Sequence, residues 1–314
     1  MRVLVIGVAG QLGRALAVQT KARGDSVVGT YNSRVPDDQA DSIEPLDKTD
    51  AQRVEAVLQK HVPDVVIDTA ALHNVDYCEL HPEDAYRVNR EGTRFVAQAA
   101  AAIGAKFVFV STDFVFSGTQ AEPYRESDTP APASQYALSK LEGEGAALAA
   151  SDSNLVVRPS VIYSWVESRR RAASSSGKGL NFGSWLAEEV GRGHEVRIVD
   201  DQTASPTLAE DLAGAIVALV AKDARGVFHT AGGTATTRYG FSVRLVERLQ
   251  LDSNLVRPVR TVDLNQKAPR PSNSSLDSGR LTAITGYRMM SLPSALDRFA
   301  EQFEADPGAP HGSH

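Results

Sequence analysis

The stretch that most restricts this chain is its beginning, where Arg2-Val-Leu-Val-Ile6 is apolar on consecutive positions and then breaks into Gly7-x-x-Gly10-x-x-Gly13. A strand that is apolar at every position is buried on both faces, which a parallel sheet covered by helices provides. The Ala/Leu-rich segment that follows, to about Arg23, reads as a helix. Strand, glycine loop and helix in that order form a dinucleotide seat. Glycines let the backbone approach a pyrophosphate, and the helix N-terminus offers free N–H groups and the positive end of its dipole. Gly7, Gly10, Gln11, Leu12 and Gly13 are its expected lining.

Strand and helix signals then alternate. Ser26 to Tyr31, Val65 to Asp68, Phe107 to Val110 and Asn154 to Val157 read as strands; about Asp50 to Lys60, Glu83 to Ile103 and a segment ending near Ala150 read as helices. Alternation of this kind specifies an α/β, Rossmann-like, doubly wound parallel sheet. After its second strand such a fold carries an acid for a free ribose hydroxyl, or a base for a phosphorylated one. Here the residues are Thr30-Tyr31-Asn32-Ser33-Arg34, with no acid. Asn32 and Arg34 therefore point to NADPH, with NADH possible. Asp47 can accept from the adenine amine or cap the helix that follows. Thr69-Ala70-Ala71 are small enough for a nicotinamide nucleotide to lie against the backbone. Asn89, taken alone, reads as a solvated helix residue.

The chemistry is expected where Phe107 to Val110 ends in Ser111-Thr112-Asp113, together with Tyr136-Ala-Leu-Ser-Lys140. Four residues apart on a helix, Tyr136 and Lys140 share a face. An ammonium beside a phenol favours the phenolate, drawing a pKa of about 10 toward neutrality, so Tyr136 can pass a proton. The competing reading is an incidental surface pair; the hydroxyl of Thr112 and the glycine loop upstream favour chemistry.

A length of 314 residues suits one large domain with a smaller lobe. The dinucleotide domain is expected over residues 1–162, with 204–223 packing back on it; the second lobe over 163–203 and 224–305; and a disordered Pro/Gly/His tail over 306–314. A net charge of −6 argues against nucleic acid or a membrane surface as partner, and no apolar run reaches the length of a membrane span. The single cysteine, Cys78, cannot form an internal disulfide and suits the cytoplasm. Ser164 to Gly179, carrying Trp165, Arg169, Arg170 and Arg171, reads as a mobile segment able to close over a cleft, or as a solvated tether.

Together the glycine loop, Asp68-Thr-Ala-Ala71 with Val75-Asp76, Val88-Asn89, Ser111-Thr112-Asp113-Phe114-Val-Phe116, Pro123-Tyr124-Arg125-Glu126, Tyr136-x-x-x-Lys140, Val199-Asp-Asp-Gln202, Ser205-Pro-Thr207 and Arg270-Pro271 resemble the extended short-chain dehydrogenase/reductases. Within them the chain resembles the dTDP-4-dehydrorhamnose reductase family over nearly its whole length. The resemblance implies that Tyr136 protonates a sugar keto oxygen, that Lys140 holds the nicotinamide ribose and lowers the Tyr136 pKa, and that Thr112 positions the carbonyl. Hydride would go from reduced nicotinamide to sugar carbon 4, with Pro159 bordering the cofactor. Val75, Asn89, Thr112, Asp113, Phe114, Val161, Asn181, Gln202 and Arg270 would face the sugar nucleotide, and a homodimer is possible. Two departures stand out. Where the rhamnose-forming enzymes carry a sugar-touching tryptophan this chain has Val161, and the acid that holds a bridging metal in some members is Ala15, so no metal is expected. Two alternatives stay open: a non-catalytic NADP-binding regulator similar to the methionine adenosyltransferase β subunit, and a sugar-nucleotide epimerase or dehydratase.

Overall fold

The computed structural model describes residues 1–33, 35, 36, 39–167 and 181–310. Strands β1 (Arg2–Ile6), β2 (Ser26–Tyr31), β3 (Ser42–Pro45), β4 (Val65–Asp68), β5 (Lys106–Val110) and β6 (Leu155–Arg158) join an edge strand, Gly226–His229, in one seven-stranded sheet. The order is Gly226–His229, β6, β5, β4, β1, β2, β3, and every pairing is parallel. The continuous apolarity of β1 is used in full. Val3 and Val5 enter a core with Leu12 and Leu16 of the helix Gln11–Ala22, while Leu4 and Ile6 enter the opposite core with Val54, Leu58 and Val96. Each such side chain contributes about 1.5–3 kcal/mol by leaving water. The later helix Ala209–Ala221 lies on the first of these faces, where Leu212 and Ile216 share the core of Leu12 and Leu16.

The C-terminal half builds a separate core. Leu186 and Val190 of the helix Phe182–Gly191, Val196 and Ile198, Phe241 and Leu245 of the helix Arg238–Arg248, and Leu292, Phe299 and Phe303 pack together. Val196–Val199 pairs in parallel with Val256–Val259 at its edge.

Three expectations are corrected. The single helix expected from Glu83 to Ile103 is two, Pro82–Tyr86 and Gly92–Ala102, joined by a π-helical turn over Arg87–Glu91. The extra residue of that turn swings Asn89 inward. The tail is not free through its whole length: Ala309 is buried in the C-terminal core, and Pro310 fills the space over Gly191, where an added Cβ would meet the Pro310 carbonyl oxygen at 2.7 Å. Nor does Trp165 face the cleft. It is buried edge-on against Phe299 and Phe303, and its Nε1 donates to Asp306 Oδ2 at 3.1 Å. Arg34, and residues 168–179 of the closing segment with Arg169, Arg170 and Arg171, lie outside the described residues. Among the described residues no helix is long and apolar enough to cross a membrane.

Candidate active site

The sheet order reverses between β1 and β4, with the chain running outward to β2 and β3 on one side and to β5 and β6 on the other. A crevice opens at the carboxyl ends of strands at such a point. Here it is a cleft of about 1080 Å³. Gly7, Gly10, Gln11, Leu12 and Gly13 form its floor, with Gly7 at φ +82° and Gly13 so close that an added Cβ would lie 2.3 Å from the Gly7 carbonyl oxygen. Gly10 caps the helix Gln11–Ala22 without a side chain, which leaves the first-turn N–H groups for an anion in the cleft. Asn32, Asp47, Ala70, Ala71 and Pro159 line the same wall. Asp47 accepts from Thr49 N at 2.9 Å, and the neighbouring Asp50 caps the helix Ala51–His61 by accepting from Arg53 N at 3.0 Å. The Gln11 side chain ties the two halves together: Nε2 donates to Ile162 O at 3.3 Å, and Oε1 accepts from Ser164 Oγ at 3.0 Å.

Where β5 ends, Thr112 caps a short turn by accepting from Phe114 N at 3.2 Å. Tyr136 and Lys140 enter from the helix Gln135–Ala150, which Ser134 caps through Ala137 N at 3.3 Å. Thr112 and Tyr136 line the cleft together, and the Thr112 hydroxyl favours the phenolate. Sequence reasoning had Lys140 pulling the Tyr136 pKa down, and the geometry corrects this. Crowding by protein pushes Tyr136 up, Thr112 opposes that, and the Asp113 carboxylate adds to it. Lys140 turns its ammonium to the backbone, donating to Val110 O at 2.7 Å with the Phe109 ring centroid 4.0 Å away. Burial and the nearby Lys48 charge bring Lys140 down to about 7, against Asp68 and Glu144. The phenol is protonated at neutral pH, as an ordinary tyrosine is, and the raised pKa makes it the weaker acid of the two.

The opposite wall comes from scattered parts of the chain. Val75, Asp113, Phe114, Val161, Asn181, Gln202 and Arg270 all line the cleft. The Asp113 carboxylate is committed, accepting from Thr112 Oγ1 at 3.1 Å, Ser160 Oγ at 2.8 Å and Ser274 Oγ at 2.6 Å. Burial raises its pKa against those three donors. Phe114 meets the Tyr136 ring edge-on at 6.2 Å. Val161 stands at φ +40°, a left-handed conformation that strains a β-branched residue. Asn181 caps the helix Phe182–Gly191 through Ser184 N at 3.2 Å, Gln202 Nε2 donates to Thr261 Oγ1 at 2.9 Å, and Arg270 Nη1 donates to Asp76 Oδ1 at 2.6 Å. Asn89 is not part of this wall. It is fully buried behind it, accepting from Leu72 N at 2.9 Å and donating to Leu72 O and Ser139 Oγ, each at 3.0 Å.

Sequence reasoning missed Trp185, Arg197 and Arg238, which also line the cleft. Arg238 lies over the Phe182 ring at 4.1 Å; no described carboxylate is in contact with it, and burial lowers its pKa to about 10. One signal was present. Arg238 follows the helix cap Thr237, so it places a cation at the positive end of the helix dipole, where an anion is the favoured neighbour.

A doubly wound sheet with an uncapped glycine loop on one side of its cleft and Thr112, Tyr136 and Lys140 on the other defines an NAD(P)-dependent oxidoreductase of the short-chain dehydrogenase/reductase class. The chain belongs to the RmlD substrate binding domain family, whose model matches residues 1–305. It is 35% identical over 291 residues to a dTDP-4-dehydrorhamnose reductase of Mycobacterium tuberculosis, covering 91% of this chain and 87% of that one. It is 31% identical to the methionine adenosyltransferase 2 subunit beta of Xenopus tropicalis, covering 90% and 82%. Among solved structures, a dTDP-4-dehydrorhamnose reductase of Clostridium acetobutylicum superposes with a TM-score of 0.84 at 30% identity, over 97% of this chain and 100% of that one. The Bacillus anthracis enzyme in complex with NADP gives 0.80 at 29% identity, over 96% and 99%.

Proposed function

We propose that the chain uses NADPH to reduce the 4-keto group of a nucleotide-linked 6-deoxyhexose. The observation that carries this reading is the gathering of Thr112, Tyr136 and Lys140 across one cleft from the uncapped glycine loop. The glycine loop would hold the cofactor pyrophosphate; when bound, the nicotinamide supplies a hydride. Tyr136 donates the proton that neutralises the developing alkoxide, Thr112 orients the carbonyl, and Lys140 holds the cofactor ribose. The lobe formed by residues 163–203 and 224–305 would take the sugar nucleotide, with Arg238 and Arg270 offering guanidinium groups to its diphosphate. The NADP in the Bacillus anthracis structure supports the cofactor. A cytoplasmic location and a homodimer belong to the same reading; Cys78, fully buried and pushed up to about 11 by that burial, is an inert thiol that suits a reducing compartment.

A second reading, the non-catalytic regulator, is favoured by the likeness to the Xenopus subunit and by Val161 where a sugar-touching tryptophan was expected. An epimerase or dehydratase ranks third, because Thr112-Asp113-Phe114 lacks a second acid. Purified chain mixed with dTDP-4-dehydrorhamnose, and then with other 4-keto-6-deoxy sugar nucleotides, should oxidise NADPH stoichiometrically with product. Saturable NADPH binding with no turnover on any of them would instead establish the regulator.

A further inference from the structure

At the cleft wall stands an ion pair to which the proposed chemistry assigns no step: Lys48, which lines the cleft, with Asp68 behind it. Lys48, next to Asp47, is 4% exposed, and its Nζ donates to Asp68 Oδ2, at the end of β4, over 2.7 Å. The same ammonium donates to Ala70 O at 2.7 Å, and Asp68 Oδ1 accepts from Ala70 N at 3.0 Å. Ala70 is thus gripped at both its amide and its carbonyl by two charges bonded to each other.

The grip extends in two directions. Lys48 Nζ also donates to Thr93 Oγ1 at 3.4 Å, and that hydroxyl donates to Asn89 O at 2.9 Å. Asn89 Nδ2 donates to Ser139 Oγ at 3.0 Å, and Ser139 Oγ donates to Tyr136 O at 2.8 Å. On the other side, an added Cβ on Gly7 would meet Ala70 Cβ at 3.3 Å, so the pyrophosphate loop rests against the same residue. As a source of stability the pair is a weak choice, because a buried ion pair does no better than apolar groups of equal volume. What it supplies is direction, through bonds to both poles of one residue in the cleft wall.

We propose that Lys48 and Asp68 are positioning residues of the cofactor site, fixing the Ala70–Ala71 wall at the separation from Tyr136 and Lys140 that a bound nicotinamide nucleotide needs. The inference rests on the cofactor reading alone; the identity of the sugar does not enter. Lys48→Met leaves a buried carboxylate unpaired and should lower the melting temperature. Adding Asp68→Asn removes that charge, so Lys48→Met/Asp68→Asn should melt within a few degrees of wild type. Titration calorimetry should nevertheless show this double variant binding NADPH roughly tenfold more weakly, the size of one lost hydrogen bond at the upper end of its range. A double variant that regains both melting temperature and NADPH affinity would make the pair mere support for the fold and overturn the proposal. So would a Lys48→Met single variant with wild-type affinity.

Discussion

The two walls of the cleft are built in different ways. One is made of backbone and small side chains delivered in sequence: Gly7 to Gly13 after β1, Asn32 after β2, Ala70 and Ala71 after β4, and Pro159 after β6. Each position is fixed because a sheet strand ends there. The other wall is made of long side chains, Phe182, Trp185, Arg197, Gln202, Arg238 and Arg270, brought together by a lobe whose core is separate from the sheet. The first wall fits a ligand whose shape does not vary, and the second can change its ligand by changing single side chains. General cofactor chemistry and particular substrate choice are in this way placed on opposite sides of one opening.

If that division holds, substitutions should split cleanly between the two. The largest effect belongs to the point where the walls meet: Tyr136→Phe should lower turnover by about 10²- to 10⁴-fold while the NADPH dissociation constant stays put, as steady-state kinetics beside calorimetry would show. Arg238→Met should raise the Michaelis constant for the sugar nucleotide about 10- to 100-fold, the worth of a lost charged hydrogen bond, with the NADPH constant unmoved. A variant weakened toward both ligands would erase the distinction.

Two smaller effects sharpen it through stability. Burial holds Lys140 at about 7 against an ordinary value of 10.5. Between those values the unfolded chain binds a proton that the folded chain gives up, so this group makes stability rise with pH across the window, and its penalty is full below pH 7. Lys140→Met should therefore raise stability at pH 6, a gain fading toward pH 10.5, while activity is lost. Thermal melts at pH 6 and 9 would expose the trend. Last, Val161→Gly should relieve left-handed strain and add about 1 kcal/mol, measured by denaturant unfolding, since glycine takes that conformation freely.

The same contrast decides what could be read from the sequence. The first wall was legible because its signals are contiguous: an apolar run, a glycine spacing, a strand end. The separate core of the C-terminal half has no such order, and Arg238 announces itself only by standing at the wrong end of a helix. Asn89 was misplaced both as a solvated residue and as a sugar contact, because nothing in Val-Asn-Arg-Glu-Gly marks the π turn that brings it inside. The tail was misread for a compositional reason. Its prolines and glycines suggest disorder, yet Asp306 has Trp165 as a partner and Pro310 has the bare surface of Gly191 to cover. The lowering expected from Lys140 is absent because spacing along a helix fixes a shared face but not the direction of a flexible ammonium, which Val110 O takes.

The placement of Trp165 gives the molecule a pair of optical reporters. The chain has two tryptophans, one sealed among Phe299 and Phe303 and bonded to Asp306, the other, Trp185, partly buried on the cleft wall. Their emission should separate into a blue component that iodide does not quench and a component that occupancy of the cleft alters. A Trp185→Phe protein would then signal the melting of the C-terminal core without responding to sugar nucleotide, and a Trp165→Phe protein would respond to sugar nucleotide as well as to melting.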